Sequence, residues 1–417
     1  MNKKRYIATV AATAVLSMIT SIAQGQGINL DVITQDGEWY QEIVDAYEEA
    51  NPQNSVTLQA PSENYDDVAR RAMRASLIGD PPDIVFMGYN QMDIVVDRGI
   101  AVDIDQMMGD DLALEGLGYL STTLDLCRRN GKLYGLPFAT SIPIVFYNPE
   151  LVAEAGGDPN AFPETWDGVF DLAQRIDTLN HQTMGVFFRY VHSGNWSWQA
   201  LLNSFGGTLM AEDGVSIAFD GEAGRAALDV MYRMKSAGMI DMSTNQARQA
   251  FMSGTVGIFF DSSSALASIQ AGSNFTPRTA QYPSPVENSR LPGGGNCIVM
   301  TTPDVQRQPA ALDFMQFATG PIGQAKLVEM SGYVSNNVIA NSDPAYLGNY
   351  YRDNPEAQTA ADASARLTSW NAFPGENSLQ IVDVIHRYLE AVINHTTTPE
   401  AALRSMVQDV SELLPHV

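Results

Sequence analysis

An alternation of strands and helices in the first part of the chain constrains its fold more than any other feature. Strands are predicted at 28–34 and 55–59, and helices at 38–50 and 65–78, where apolar side chains recur at helical spacing. The segment GDPP at 79–82 ends the second helix, and 83–87 predicts a short buried strand. Strands that alternate with helices in this way indicate a parallel sheet and therefore an α/β fold.

The length of the chain predicts more than one hydrophobic core. The chain has 417 residues, whereas a single core usually stops growing at about 250–300 residues. Extended pieces are predicted at 134–138 and 142–148, joined by 139–141, and a helical, aromatic-rich stretch at 165–235. A long helix is predicted at 380–394. These changes of pattern indicate two lobes between which the chain passes more than once.

The N-terminus has the pattern of a secretory signal peptide. Lys3, Lys4 and Arg5 precede an apolar run at 6–23, and small residues follow near Gly25. We therefore expect residues 1–25 to be removed and the mature protein to work in the periplasm. A retained membrane helix is the alternative. No cysteine stands directly after the apolar run, which argues against a lipoprotein. No later segment is apolar for long enough to span a membrane.

Net charge and cysteine content narrow the partners and the chemistry. The formal charge is −24, and it becomes three units more negative when the cations of the signal leave. Such a field repels nucleic acid and anionic lipid, so neither is expected as a partner. Cys127 and Cys297 lie far apart and form no CxxC motif. They are predicted to be two buried free thiols, although an oxidising compartment also permits a disulfide.

The chain contains none of the familiar catalytic motifs. It has no GxSxG, HExxH or GxxxxGK[ST] segment, and its five histidines do not fall at metal-ligand spacing. No metal, cofactor or enzymatic activity is therefore expected. A secreted glycosidase stays open as an alternative, because catalytic carboxylate pairs have no fixed spacing and the chain has 48 acidic residues.

Aromatic residues inside polar loops predict a ligand of another kind. Trp196 and Trp198 lie in the segment SGNWSWQ at 193–199, and Tyr89, Tyr333 and Trp370 have similar neighbours. A sugar presents an apolar face that an aromatic ring covers and a polar rim that amides and hydroxyls bind. Loops that follow strands of an open α/β sheet are where such ligands bind.

Several segments, taken in order, resemble the extracellular solute-binding proteins of ABC importers, family 1, which includes the maltose and glycerol-3-phosphate binders. They are the opening strand and helix at 28–52, GDPPDIV at 79–85, YGLP at 134–137, TW at 165–166 and FMSGTVGI at 251–258. The resemblance covers nearly the whole mature chain. It implies a type II periplasmic-binding-protein fold, in which two α/β lobes, each a mostly parallel sheet flanked by helices, enclose a ligand.

The resemblance also implies lobe boundaries and a partner. The N-terminal lobe is expected to comprise 26–138 and 296–336, and the C-terminal lobe 139–295 and 337–417. Three crossings between them are expected near 138–141, 293–296 and 333–337. The closed monomer is expected to dock on a membrane permease without spanning the membrane itself.

The predicted ligand contacts are rings and hydrogen-bonding groups in these loops. Trp198 and Trp370 are expected to flank a sugar, with Tyr333 or Tyr89 as a third ring. The resemblance adds contacts from Tyr65, Ser262 and Gly295, and Trp196 lies in the same tryptophan segment. The sugar hydroxyls are expected to bond Gln35, Asp36, Asn90, Ser141, Asp261 and Asn296.

One departure from the glycerol-3-phosphate binders guides the prediction of the ligand. Those proteins carry an arginine shortly before a Met-Pro pair, whereas here Trp370 precedes Phe373-Pro374 and Arg366 is out of register. A periplasmic binding protein for a neutral carbohydrate or polyol is therefore predicted. The alternative is binding of glycerol 3-phosphate or a glycerophosphodiester, which requires Arg366 to reach the cleft.

Overall fold

The computed structural model describes residues 27–35 and 37–415 of the chain. The predicted signal peptide at 1–25 and the predicted ligand contact Asp36 lie outside the described residues. Among the helices of the described part, none has the length and apolar character that crossing a membrane requires.

The strands of the described residues form two larger sheets and two small pairs. In chain order they are β1 Asn29–Ile33, β2 Ser55–Leu58, β3 Ile84–Gly88, β4 Arg128–Arg129, β5 Lys132–Leu133, β6 Leu136–Ser141, β7 Pro143–Tyr147, β8 Met184–Phe188, β9 Val256–Ser262, β10 Arg278–Gln281, β11 Leu291–Pro292, β12 Gly294–Met300 and β13 Leu367–Thr368.

Helices cover both sheets. They are α1 Trp39–Ala50, α2 Tyr65–Leu77, α3 Met92–Asp97, α4 Asp105–Met108, α5 Asp111–Gly116, α6 Ser121–Leu124, α7 Pro149–Glu154, α8 Trp166–Asp177, α9 Trp196–Ser204, α10 Glu222–Ser236, α11 Thr244–Met252, α12 Leu266–Gly272, α13 Gln308–Thr319, α14 Pro321–Glu329, α15 Val338–Ser342, α16 Tyr350–Asp353, α17 Pro355–Ala363, α18 Ser378–Ile393 and α19 Pro399–Ser411. Short 3₁₀ turns include Tyr89–Gln91, Ser193–Asn195 and Ser263–Ala265.

The first sheet has the order β2-β1-β3-β12-β6. The strands β2, β1 and β3 are parallel, as the alternating pattern predicted. However, β12 runs antiparallel to both β3 and β6, so the sheet is mixed where a mostly parallel one was expected. The chain enters β12 from β11, which lies outside this sheet, and not through a βαβ crossover. Only such a crossover requires the two strands that it joins to be parallel, so β12 is free to run in the opposite direction. The α/β class itself is confirmed.

The second sheet has the order β10-β7-β9-β8 and is also mixed, because only β8 and β9 are parallel. The sequence pattern missed β8, which lies in the stretch predicted to be helical. Its five residues, MGVFF, are all buried, and a short apolar run has no period that separates a buried strand from a helix. The prediction for 139–141 was also wrong, since these residues continue β6.

Local sequence explains where the helices next to the sheet edges begin. The Asn64 side chain accepts a hydrogen bond from the Asp67 N–H at the start of α2, and Asp66 and Asp67 occupy the first turn. Carboxylates are favoured there by the helix dipole. Thr165 caps α8 in the same manner by accepting from the Gly168 N–H. The Asn64 cap leaves Tyr65 and Asp66 in the first turn of α2, at the end of this helix that faces the second lobe.

Each sheet has its own hydrophobic core. One core contains Leu30, Phe86, Phe138 and Ile298 of the first sheet. The other contains Phe146, Phe187 and Phe259 of the second sheet, together with residues of α18 and α19. The chain passes directly from the first sheet to the second between Ser141 and Pro143, and it returns between β11 and β12. The lobe boundaries inferred from the resemblance remain a proposal.

The two cysteines are joined, so the prediction of free thiols was wrong. Cys127 and Cys297 form a disulfide across 170 residues of sequence, with their Cα atoms 5.9 Å apart. Both are buried, as predicted. The residue spacing could not reveal the pair, because only the fold brings the 3₁₀ turn Asp125–Cys127 beside β12. The disulfide therefore anchors β12 at the residue that directly follows Asn296.

Candidate ligand-binding cleft

Aromatic residues from both halves of the molecule meet where the two sheets face each other. Tyr65 and Trp370 have ring centroids 6.1 Å apart, and Trp196 and Trp370 have centroids 6.5 Å apart. Tyr89 and Tyr333 belong to the same buried group. We call these five residues the aromatic cluster. Each is at most 6% exposed, so the rings of the cluster are packed together and shielded from solvent where the lobes meet.

Polar side chains of the first sheet hold the phenol groups of this cluster. The Gln35 amide donates to the Tyr65 hydroxyl at 2.9 Å and to the Tyr333 hydroxyl at 3.2 Å. The Asn296 amide donates to the Tyr65 hydroxyl at 2.7 Å. These uncharged groups converge at the edge of the first sheet where β1 and β3 end and β12 begins.

Several buried polar atoms around the cluster lack a hydrogen-bond partner among the described residues. They are the Asn90 Oδ1, the Asn296 Oδ1, the Trp370 Nε1 and the Asn336 Nδ2. A buried polar atom left unpaired costs about 1–3 kcal/mol. A molecule with several hydroxyl groups would satisfy donors and acceptors of this kind.

Glycines allow the two halves to approach closely. A Cβ on Gly294 would lie 2.7 Å from the Ser141 Oγ and 3.0 Å from the Trp196 ring. Gly295 has a φ of 128°, and a Cβ there would lie 1.8 Å from the Ala139 carbonyl oxygen. Larger residues at 294 and 295 would therefore displace β6 or Trp196. The structure thus brings Ser141 and Gly295 next to the cluster.

Direct hydrogen bonds join the two halves beside the cluster. The Tyr65 N–H donates to the Ser193 Oγ at 3.1 Å, and the Gly194 N–H donates to the Asp66 Oδ2 at 3.3 Å. The sequence interpretation missed Asp66 altogether. Its signal was its position directly after Tyr65, in the first turn of a helix whose N-terminus faces the cleft. Burial raises the pKa of Asp66 to about 6, although the Gly194 N–H and Arg70 oppose this rise.

Asp261 was predicted to contact ligand hydroxyls, but the structure places its carboxylate between two arginines. Its carboxylate accepts from Arg189 at 2.8 Å, from Arg248 at 3.0 Å and from the Ser262 N–H at 2.7 Å. Burial tends to raise the pKa of Asp261, but the two arginines outweigh it and hold that pKa well below its usual range. These partners occupy the carboxylate, which leaves it little capacity for a ligand.

His192 completes this charged group, which we call the Asp261 network: Arg189, His192, Arg248 and Asp261. The His192 Nε2 lies 3.4 Å from the Asp261 Oδ1. Burial, assisted by Arg189, lowers the pKa of His192 to about 4, so the ring is neutral near pH 7. The network ties the ends of β8 and β9 together below Trp196, whose ring centroid lies 5.1 Å from that of His192.

Trp198 is not brought into the aromatic cluster. Its side chain is fully buried in the second core, where its ring centroid lies 5.1 Å from that of Phe219. Trp196 occupies the cleft side because it stands at the start of α9, and two residues further along a helix the side chain points about 200° away. Trp196 and not Trp198 is therefore the partner of Trp370.

The remaining predicted contacts lie at the edge of the cluster. Ser262 ends β9, and its hydroxyl lies 2.8 Å from that of Ser264. Asn90 lies close to Gly194, on which a Cβ would be 2.4 Å from the Asn90 Nδ2. Arg366 points elsewhere, since it donates to the Tyr282 carbonyl and to the Ser289 hydroxyl, both at 2.8 Å. Across 27–35 and 37–415, no group of His, Cys, Asp and Glu is suited to hold a metal ion.

Known proteins match this chain over most of its length. The model of a family described as bacterial extracellular solute-binding protein matches residues 31–325. The sn-glycerol-3-phosphate-binding periplasmic protein UgpB of Agrobacterium fabrum is 25% identical over 301 residues, which cover 67% of this chain and 66% of that protein. The aligned part thus falls just short of two thirds of that relative.

Solved structures share the fold. UgpB from Mycobacterium tuberculosis, in complex with glycerophosphocholine, superposes with a TM-score of 0.81 at 20% identity, covering 92% of this chain and 97% of that one. The GacH receptor of Streptomyces glaucescens, described unliganded and with acarbose, gives a TM-score of 0.79 at 19% identity, with 93% and 98% covered. The predicted two-lobe α/β fold is therefore confirmed. Since the family model spans more than half of the sequence, this chain belongs to the bacterial extracellular solute-binding proteins.

Proposed function

We propose that this protein binds a neutral carbohydrate or polyol between its lobes and delivers it to the membrane permease of an ABC importer. The observation that carries this proposal is the aromatic cluster, in which rings from both halves surround buried amide and indole atoms without partners among the described residues. Rings that cover the C–H face of a sugar contribute about 0.5–1.5 kcal/mol each, and each hydrogen bond about 1 kcal/mol.

The charges near the cluster support a neutral ligand. A phosphate needs a free cation, usually an arginine that offers two parallel N–H groups. Arg366 is bonded to Tyr282 and Ser289, and Arg189 and Arg248 share the carboxylate of Asp261. Glycerol 3-phosphate or a glycerophosphodiester remains the second candidate, because the curated relatives that match bind sn-glycerol 3-phosphate according to their names.

The proposal also states that the protein is exported and that it releases its ligand chemically unaltered. The pattern at 1–25 supports secretion, and membership of an extracellular family agrees with it. Closure of two lobes on a ligand selects one of two conformations, and the closed one would dock on the permease. We propose no catalytic step. The relatives named above are binding proteins, and the buried carboxylates of Asp66 and Asp261 belong to two separate hydrogen-bond networks.

Thermal melting against a panel of neutral sugars, polyols and their phosphate esters tests this function. A ligand that binds only the folded state at 100 times its Kd stabilises by about 2.7 kcal/mol, which raises the melting temperature. We expect at least one neutral compound to do so and to be recovered unchanged by chromatography. A shift with phosphate esters alone, lost in Arg366→Ala, would support the second candidate. Turnover of a glycoside would contradict both.

A further inference from the structure

Asp66 connects the two lobes through its carboxyl group. One oxygen accepts the Gly194 N–H from the second lobe at 3.3 Å, and the other accepts the Gln91 amide of its own lobe. The neighbouring Tyr65 N–H reaches the Ser193 Oγ, so two successive residues of α2 bond the turn Ser193–Asn195. Opening the cleft must break these contacts, because α2 and this turn belong to different lobes.

The turn that receives the carboxyl group has an unusual backbone. Gly194 and Asn195 both have left-handed conformations, with φ values of 55° and 52°. Successive backbone N–H groups in such turns form a concave surface suited to oxygen acceptors. A Cβ on Gly194 would lie 2.4 Å from the Asn90 amide nitrogen. The turn therefore meets the 3₁₀ turn Tyr89–Gln91 of the first lobe closely, and only glycine fits at its centre.

The charged surroundings of Asp66 do not neutralise it fully. On its own helix Arg70 attracts the carboxylate, but Arg70 also forms an ion pair at 3.6 Å with Asp383 of α18, which repels it. Asp93 on the packed helix α3 is paired with Arg129. His192, next to the turn, has its pKa lowered to about 4 by burial and stays neutral above pH 5. Desolvation dominates and raises the pKa of Asp66 to about 6.

We propose that Asp66 is the positioning residue that controls closure of the cleft, and that closure takes up a proton at its carboxyl group. The inference rests on the proposed function, because it assumes that the lobes open and close around a ligand. A protonated carboxyl group still accepts the Gly194 N–H through its carbonyl oxygen. It enters the interface without the desolvation cost of a charge.

The direction of the pH effect follows from linkage. In the open form Asp66 faces water and titrates near the ordinary value of about 3.9, whereas in the closed form its pKa is about 6. The closed form therefore binds more protons between these values, so closure becomes more favourable as pH falls through 6. From pH 8 to pH 5 the ratio of closed to open protein should rise about tenfold.

Distances between spin labels measure this ratio directly. Val305→Cys and Ile240→Cys place labels on exposed positions of the first and second lobe, and the native cysteines are already paired. Without added ligand, we expect the short-distance population to grow about tenfold relative to the long one from pH 8 to pH 5. Asp67→Asn, which removes the neighbouring carboxylate of the same first turn, should behave like the parent protein.

Two variants at Asp66 separate its role from a merely structural one. Asp66→Asn imitates the protonated acid. Its amide can donate to the Gln91 Oε1, which has no partner in the described part of the chain, once the Gln91 amide turns over, since its Nε2 faces Asp66 in the parent protein. This variant should be more closed at pH 8 than the parent protein is at pH 5, because the parent is only partly protonated there, and it should show no pH dependence. Asp66→Ala should be more open than the parent protein at both pH values.

A ratio that does not change with pH in the parent protein, or a pH dependence that survives in Asp66→Asn, would overturn the proposal. Because this experiment uses no ligand, a negative result does not bear on the proposed function, which the melting panel tests separately. Conversely, a negative panel with a pH-dependent ratio would contradict the ligand class and not the role of Asp66.

Discussion

The two sides of the cleft differ in how their polar groups are satisfied. On the side of the first sheet, Gln35, Asn90 and Asn296 are uncharged, and two of the three leave buried atoms without partners among the described residues. On the side of the second sheet, Asp261 is enclosed by Arg189, Arg248 and His192. The first-sheet side of the cleft therefore offers uncharged hydrogen-bonding groups, whereas the second-sheet side holds a charged network. Each prediction below tests this division.

The largest expected effect comes from breaking the Asp261 network. In Asp261→Ala, Arg189 and Arg248 lose their shared carboxylate, and removing one partner of a buried ion pair costs about 3–5 kcal/mol. Denaturant unfolding should show this loss in the free energy of unfolding. The control is Asp167→Ala, which removes the exposed partner of Arg233 and should cost less than about 1 kcal/mol. Equal losses in the two variants would contradict the structural role of the network.

Acid should weaken the same network through His192. Its pKa is about 4 in the folded protein and about 6.5 when unfolded, so the unfolded chain binds the extra proton between these values. Stability from this residue is complete above pH 6.5 and falls by up to about 3 kcal/mol as pH drops to 4. His192→Gln should lose less stability than the parent protein over that range. Identical acid profiles in denaturant titrations would show that the ring is not held neutral.

Trp370 and Trp198 sharpen the distinction between a ring that binds ligand and one that fills the core. Trp370→Ala should weaken binding of any sugar found in the melting panel by about 2 kcal/mol, or roughly 30-fold. Trp198→Ala should instead lower the free energy of unfolding by about 3–5 kcal/mol, because its buried ring packs against Phe219. Calorimetric titration measures the first effect and denaturant unfolding the second. Unchanged affinity in Trp370→Ala would remove this ring from the site.

The smallest effect is expected at Arg366. Its guanidinium bonds Tyr282 and Ser289, away from the aromatic cluster, so Arg366→Gln should leave the affinity for neutral sugars within about twofold. A large loss of affinity would place this cation in the site and favour the second candidate ligand.

The sequence predicted the strand and helix order over 28–87 closely, because α1 and α2 carry clear helical periodicity. It did not predict β8, whose uniformly apolar residues have no period, or the disulfide, whose two ends meet only in the folded chain. The residues of the proposed site were chosen by type and by their place after predicted strands. The choice between Trp196 and Trp198 and the place of Asp66 depend on helix rotation and lobe contact, which the linear pattern does not encode.

Comparing a neutral sugar with its own phosphate ester tests the central claim most directly. For the neutral compound that stabilises the protein, calorimetric titration at low and high salt should give an affinity at least tenfold above that of the ester and nearly independent of salt. An ester that binds more tightly, with an affinity that falls as salt rises, would show that a cation holds the ligand. That result would contradict the division between an uncharged binding side and a charged structural network.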